Sequence, residues 1–167
     1  MTPWLTTDEQ RTWRAFLTAV EALQAGLEAQ LQADSGMPHA YYELLVRLSE
    51  APGRALRMSA LAEAAGSSRS RLSHAVGQLE KRGWIRRETC PDDRRGQVAG
   101  LTDEGFAALA QAAPGHVEAV RRLLFARLTP EQVTVLREVG EAVAGQAPEA
   151  VCAAPLVDDR AGWAATT

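Results

Sequence analysis

Histidine and cysteine are scarce in this chain, and neither is clustered. The three histidines (His39, His74 and His116) stand far apart, and Cys90 and Cys152 have no metal-ligand spacing. There is no Gly-rich phosphate loop, no GxSxG and no His/Cys/Asp cluster. With no nucleophile and base in view, no catalytic residue, metal or cofactor is assigned, and an enzyme is not expected. Lysine is nearly absent: Lys81 stands alone among 18 basic residues. That bias, with the abundant alanine, reflects GC-rich codons and says nothing of function. No apolar run approaches the roughly 18 residues of a transmembrane span. The opening MTPWLTTDEQ lacks the basic and apolar regions of a secretory signal, so a reducing, cytoplasmic location is expected. Net positive charge is missing as well. A chain at −3 is not built to coat nucleic acid indiscriminately.

What the chain does have is one concentrated basic window. Residues 67–97 hold Arg69, Arg71, Lys81, Arg82, Arg86, Arg87, Arg94 and Arg95 against Glu80, Glu88, Asp92 and Asp93. The window is therefore +4 in a chain of −3, which leaves −7 for the remainder. Such a local concentration points to a defined footprint on DNA.

Helix signals surround that window. Thr6–Glu9 has the form of a capping box. Behind it Trp13, Phe16, Leu17, Val20, Leu23, Leu27 and Leu31 recur at helical spacing until Ser35-Gly36 and Pro38. A second helix is expected from about His39 to Glu50, with Tyr42, Leu45 and Leu48 on its apolar side, ended by Pro52-Gly53. A short helix should run from about Ser59 to Ala65, with Leu61 inward and Gly66 permitting the next turn. The following helix starts behind Ser67 or Ser68. Its stripe of Leu72, Val76 and Leu79 faces inward, which turns Ser70, Ser73, His74, Gly77 and Lys81 outward. Gly83 suits a left-handed cap. Trp84–Arg87 and Gln97–Leu101 read as two strands, with CPDDRRG as the hairpin tip. Thr102 caps a long helix whose apolar line is Leu109, Val117, Val120, Leu124 and Leu128, with a kink or break expected at Pro114-Gly115. Thr129-Pro130-Glu131-Gln132 opens the last helix, which carries Val133, Leu136, Val139 and Val143.

The expected fold is mainly α: a winged helix-turn-helix with a small β-hairpin wing and N- and C-terminal dimerisation helices. Residues 1–34 form the first of these helices, 35–102 the winged region and 103–146 the C-terminal helices. Residues 147–167 are a tail, and all belong to one structural domain. The terminal helices are too long and too apolar on one face for the winged module to cover, so a homodimer is expected.

The run LAEAAG, then SRSRLSHAVGQLEKRGWIRR, then Asp93-Arg94-Arg95 ahead of VAGLT and a long C-terminal helix, resembles the MarR family of bacterial transcription regulators. The resemblance covers about residues 8–145. It implies a homodimer that binds palindromic double-stranded DNA operators, mostly as a repressor, released by small aromatic acids or by thiol oxidation. By position it implies DNA contacts from Ser70, Arg71, Ser73 and His74 on the recognition helix, with Arg69 near phosphates. In the wing, Arg94 and Arg95 would contact DNA, Arg95 entering the minor groove where Asp93 orients it. His74 stands where many members carry Arg or Lys, which leaves the preferred bases open. The thiol branch places a cysteine near the start of the first helix. This chain has none there, so that chemistry is not expected. Cys90 reads as a small residue at a strand end, or alternatively as a redox-tuned DNA contact. The resemblance also implies an effector pocket between dimer helices and winged module, for which Trp13, Phe16, His39, Tyr41 and Tyr42 are the candidates; the alternative is that they are core and helix-end residues. A different use of the same module, protein–protein contact, remains the alternative function.

Overall fold

A computed structural model describes residues 3–90 and 93–145, apart from the side chains of Cys90, Asp93, Arg94, Arg95 and Ala144. The expected tail therefore lies outside the described residues. Among the described residues, six α-helices and three strands follow in the order α1 (Thr7–Ser35), α2 (His39–Glu50), β1 (Ala55–Arg57), α3 (Met58–Ala64), α4 (Arg69–Lys81), β2 (Ile85–Cys90), β3 (Asp93–Leu101), α5 (Asp103–Leu123) and α6 (Pro130–Ala144). Short 3₁₀ turns sit at Pro52–Arg54 and Phe125–Arg127.

Several of the helix ends are fixed by local chemistry. At the start of α1, Thr6 Oγ1 accepts from the Glu9 N–H and the Thr6 N–H donates to Glu9 Oε2 at 2.6 Å, satisfying two end groups reciprocally. Thr129 and Gln132 repeat the box at α6. Ser68 is the residue that caps α4, its hydroxyl accepting from the Arg71 N–H. Gly36 and Gly83, at φ 62° and 74°, take the left-handed turn that ends α1 and α4.

The core lies where α2, α3 and α4 meet the sheet and the start of α5. Leu45, Leu48, Leu61, Val76, Leu79 and Ala99 are fully enclosed there. The sheet is antiparallel in the order β1-β3-β2. Ile85 pairs with Leu101, Arg87 with Ala99 and Thr89 with Gln97, and an irregularity follows Thr89. The two wing strands extend further into the stretch expected to be the tip, so that Cys90 faces Asp93. The third strand, β1, was not expected: three residues are too few to show alternation, and only the pairing of Ala55, Leu56 and Arg57 with β3 makes it a strand.

Two expectations about α5 need correcting. It is one unbroken helix through Pro114, and it stops at Leu123. Close packing of α1 supports this stretch: a Cβ added at Gly115 would stand 2.9 Å from Asp34 Oδ2, and one at Gly26 would stand 2.7 Å from Leu123 Cδ1. The buried line of α5 is Gly105, Leu109, Ala112 and Ala119. Val117 is largely exposed instead, because α1 approaches along the small residues. No helix among the described residues is long and apolar enough to cross a membrane.

Much apolar surface stays uncovered. Trp13, Phe16 and Leu17 on α1 are exposed, as are Val135, Leu136, Val139 and Val143 on α6. Among the described residues of α6, Val133 alone is half-buried.

Candidate nucleic-acid interface

Helix α4 buries Leu72, Val76 and Leu79, which leaves Arg69, Ser70, Arg71, Ser73, His74 and Lys81 exposed on its other faces. Gly77, expected outward, is half-buried. Arg69, Arg71 and Lys81 form no ion pair among the described residues. The rest of the basic window divides. Arg86 Nε donates to Glu88 Oε1 at 2.6 Å. Arg87 donates twice to Glu80 Oε2, from Nε at 2.9 Å and Nη2 at 2.5 Å, tying the wing to α4. The Arg82 guanidinium lies 5.0 Å from the Trp84 ring centroid and 5.7 Å from that of Tyr41. The outward charge is thus narrower than the sequence count implies. The side chains of Asp93, Arg94 and Arg95, assigned to DNA by sequence, lie outside the described residues, as does that of Cys90.

The double hydrogen bond from Arg87 holds the Glu80 carboxyl below its ordinary pKa of 4.5. A lowered carboxylate pKa stabilises the fold above the ordinary value and loses that contribution as pH falls through the lowered one. Glu80→Gln is expected to remove this acid-sensitive part. Melting temperatures of variant and parent, followed downward from pH 4.5, should then converge. Parallel curves would show that the pair adds nothing.

The five effector candidates do not converge within one chain. Trp13 and Phe16 lie together, ring centroids 6.3 Å apart, and neither belongs to the core of this chain. Trp13 is about 22 Å along α1 from Glu28, at 1.5 Å per residue, and the carboxylate of Glu28 accepts the His39 N–H. His39 and Tyr42 do meet, around His116: the His116 ring centroid is 5.6 Å from His39 and 4.3 Å from Tyr42. Burial, and then the neighbouring His39, push the His116 pKa down, against a smaller upward pull from Glu43. Burial pushes the Tyr42 hydroxyl up. Tyr41 turns toward Arg82. Sequence reading missed His116, because only folding brings mid-α5 against the start of α2.

An apolar cavity of about 700 Å³ lies between α2 and α5. Tyr42, Val46, Phe106, Leu109 and Val117 line it, and Glu50, Glu118 and Arg121 are its charged members. Of the sequence candidates, Tyr42 alone reaches it.

Residues 35–96 match the sequence pattern of the MarR family. Over nearly the whole chain the fold is that of Sco3205, a MarR family transcriptional regulator from Streptomyces coelicolor crystallised in complex with DNA. The two share 55% identity and a TM-score of 0.83, over 90% of this chain and 95% of that one. The chain belongs to the MarR family. AbsC, another MarR family regulator from the same organism, is 42% identical with a TM-score of 0.78, over 87% of this chain and all of that one. The transcriptional repressor MprA of Escherichia coli is 31% identical over 97 residues, so this MarR-family chain spans about half the length of that relative (55%). These relatives are named as transcription regulators, not as enzymes. The winged helix-turn-helix expected from the sequence is the architecture of the family.

Proposed function

We propose that the protein is a homodimeric transcription regulator that binds a two-fold symmetric DNA operator, acts as a repressor, and is released by a small molecule. The observation that carries the DNA reading is the exposed face of α4, where Arg69, Arg71 and Lys81 have no acidic partner among the described residues. A related regulator sharing 55% of its residues was crystallised with DNA, which supports it. The uncovered apolar faces of α1 and α6 support the dimer. The α2–α5 cavity supports effector binding, with Tyr42 shared between it and the His39–His116 cluster. Trp13 and Phe16 enter such a site only if a second copy brings them to it.

Selection of duplexes from a random pool by the purified protein tests this reading. A dimer with one recognition helix per protomer should select half-sites about 10 bp apart. Three or four phosphate contacts per protomer give a slope of log K against log salt of roughly −5 to −7. A single asymmetric site, or a slope shallower than about −2, would refute the symmetric operator or the basic footprint respectively.

The two arginine positions should fail differently. Arg71→Ala is expected to cost about 1–3 kcal/mol on the selected operator and to relax base choice at one position. Arg95→Ala is expected to weaken binding chiefly where flanking A·T tracts narrow the minor groove. Equal losses on every sequence, measured by fluorescence anisotropy, would remove the distinction.

A further inference from the structure

We propose that Arg54 is the residue through which a ligand in the α2–α5 cavity acts on the winged module: a strained latch, held shut by Phe106. The proposal deepens the effector reading of that cavity and rests on it. Among the described residues, Arg54 is the one residue other than glycine at positive φ, at 53°. A side chain makes this left-handed backbone costly, and Arg lacks the short polar group that eases Asn or Asp into it. Gly53 before it is left-handed too, at 64°. The Arg54 N–H donates to the Ala51 carbonyl at 2.8 Å, and the side chain supplies the other contacts that hold the turn. Its guanidinium lies 3.9 Å from the Phe106 ring centroid, and Nη1 stands 3.5 Å from Asp103 Oδ1. Both partners belong to the first turn of α5. Asp103 is fully exposed, so its ion pair holds little, and the ring is the main contact.

Phe106 serves both sides. It lines the cavity and Arg54 does not, so the guanidinium meets the ring from outside. Ser49 and Glu50, at the end of α2, line the same cavity, and the chain passes from Glu50 through the turn to Arg54. Directly beyond it, β1 begins at Ala55 and α3 at Met58. β1 pairs with β3 of the wing, and α3 is the first helix of the helix-turn-helix. A ligand that pushes Phe106 aside removes the surface on which Arg54 rests. The turn then leaves the left-handed region, because nothing else offsets its cost. β1 and α3 start at that turn and shift with it. The closed latch is the state that presents α4 to DNA, and the open latch is the state that ligand favours.

The test fills the cavity covalently. In a Cys90→Ser, Cys152→Ser background, Ala113→Cys on the cavity wall is labelled with benzyl methanethiosulfonate. Affinity for the duplex selected by the wild-type protein is measured by fluorescence anisotropy before and after labelling. With Arg54 in place, the label should weaken binding about tenfold, an ordinary size for coupling between two sites. Arg54→Gly should bind the duplex well without the label, because glycine takes the left-handed turn unaided. The label should then weaken its binding by no more than about twofold. Arg54→Ala loses the same side-chain contacts and keeps the backbone cost, so it should melt a few degrees below Arg54→Gly and bind the duplex more weakly. Val117→Cys, half-exposed on the same wall, carries the label where Ala113→Cys does not react. A label effect of equal size in Arg54→Gly overturns the latch and leaves the effector cavity standing. No label effect with Arg54 in place overturns the effector cavity and the latch together. Equal melting and equal affinity of Arg54→Gly and Arg54→Ala overturn the strained turn, and the latch with it. If the unlabelled protein binds no duplex, the regulator reading falls as well.

Discussion

Val139→Asp is expected to split the proposed homodimer into monomers and to abolish tight binding to the proposed symmetric operator. Val139 lies on α6 between Leu136 and Val143, and all three are exposed in the single chain. The substitution therefore removes almost nothing from the monomer's own core. In a two-fold dimer the change occurs twice, so two unpaired carboxylates would be buried in the apolar interface. Taking an unpaired carboxylate out of water costs several kcal/mol. Taking roughly 4 kcal/mol, the dimer dissociation constant rises about 1000-fold. Light scattering across a concentration series measures this directly. A variant that stays dimeric with an unchanged melting curve would mean that α6 covers no partner.

Gly105→Ala is expected to destabilise the fold by about 3–4 kcal/mol, lowering the melting temperature by roughly 10 °C. A methyl group at Gly105 would stand 2.1 Å from the Trp84 carbonyl oxygen and 2.8 Å from Leu101 Cδ1. The first of these atoms is backbone and cannot swing aside. It also accepts the Thr102 N–H at 3.0 Å, so moving it forfeits a hydrogen bond at the junction of wing and α5. The Thr102 hydroxyl donates to the Gly83 carbonyl at 2.7 Å and accepts from the Gly105 N–H, so the same junction anchors the end of α4. Gly77→Ala supplies the contrast. Nothing lies within 4 Å of a Cβ at Gly77, inside α4, and the change should stabilise the helix by up to about 1 kcal/mol. Equal melting temperatures for the two variants would show that the close approach at Gly105 is not a constraint.

Helix ends were legible in the sequence because they are made by residues three or four apart. Thr6 with Glu9, Ser68 with Arg71, Thr129 with Gln132 and the left-handed Gly83 all satisfy their own neighbours' backbone groups, whatever surrounds them. The inward stripe of α4, and its outward residues apart from Gly77, followed from the helical period alone. The concentration of basic residues was equally plain, but which of them face outward was not. Glu80 and Glu88 engage Arg87 and Arg86 through contacts that depend on the path of β2.

Other features belong to the tertiary structure. Strand β1 exists through its pairing with β3, which sets Arg57 opposite Val98. The buried face of α5 was decided by where α1 can approach most closely, at Gly26 and Gly115, and not by where the largest apolar residues fall. That choice left Val117 lining an open cavity and brought His116 onto Tyr42. The sequence by itself determined the helices, their caps and the charge of the module, because each depends on spacing within one element. The folded chain decided which faces meet and which stay uncovered, because close packing depends on small residues in two elements distant in sequence.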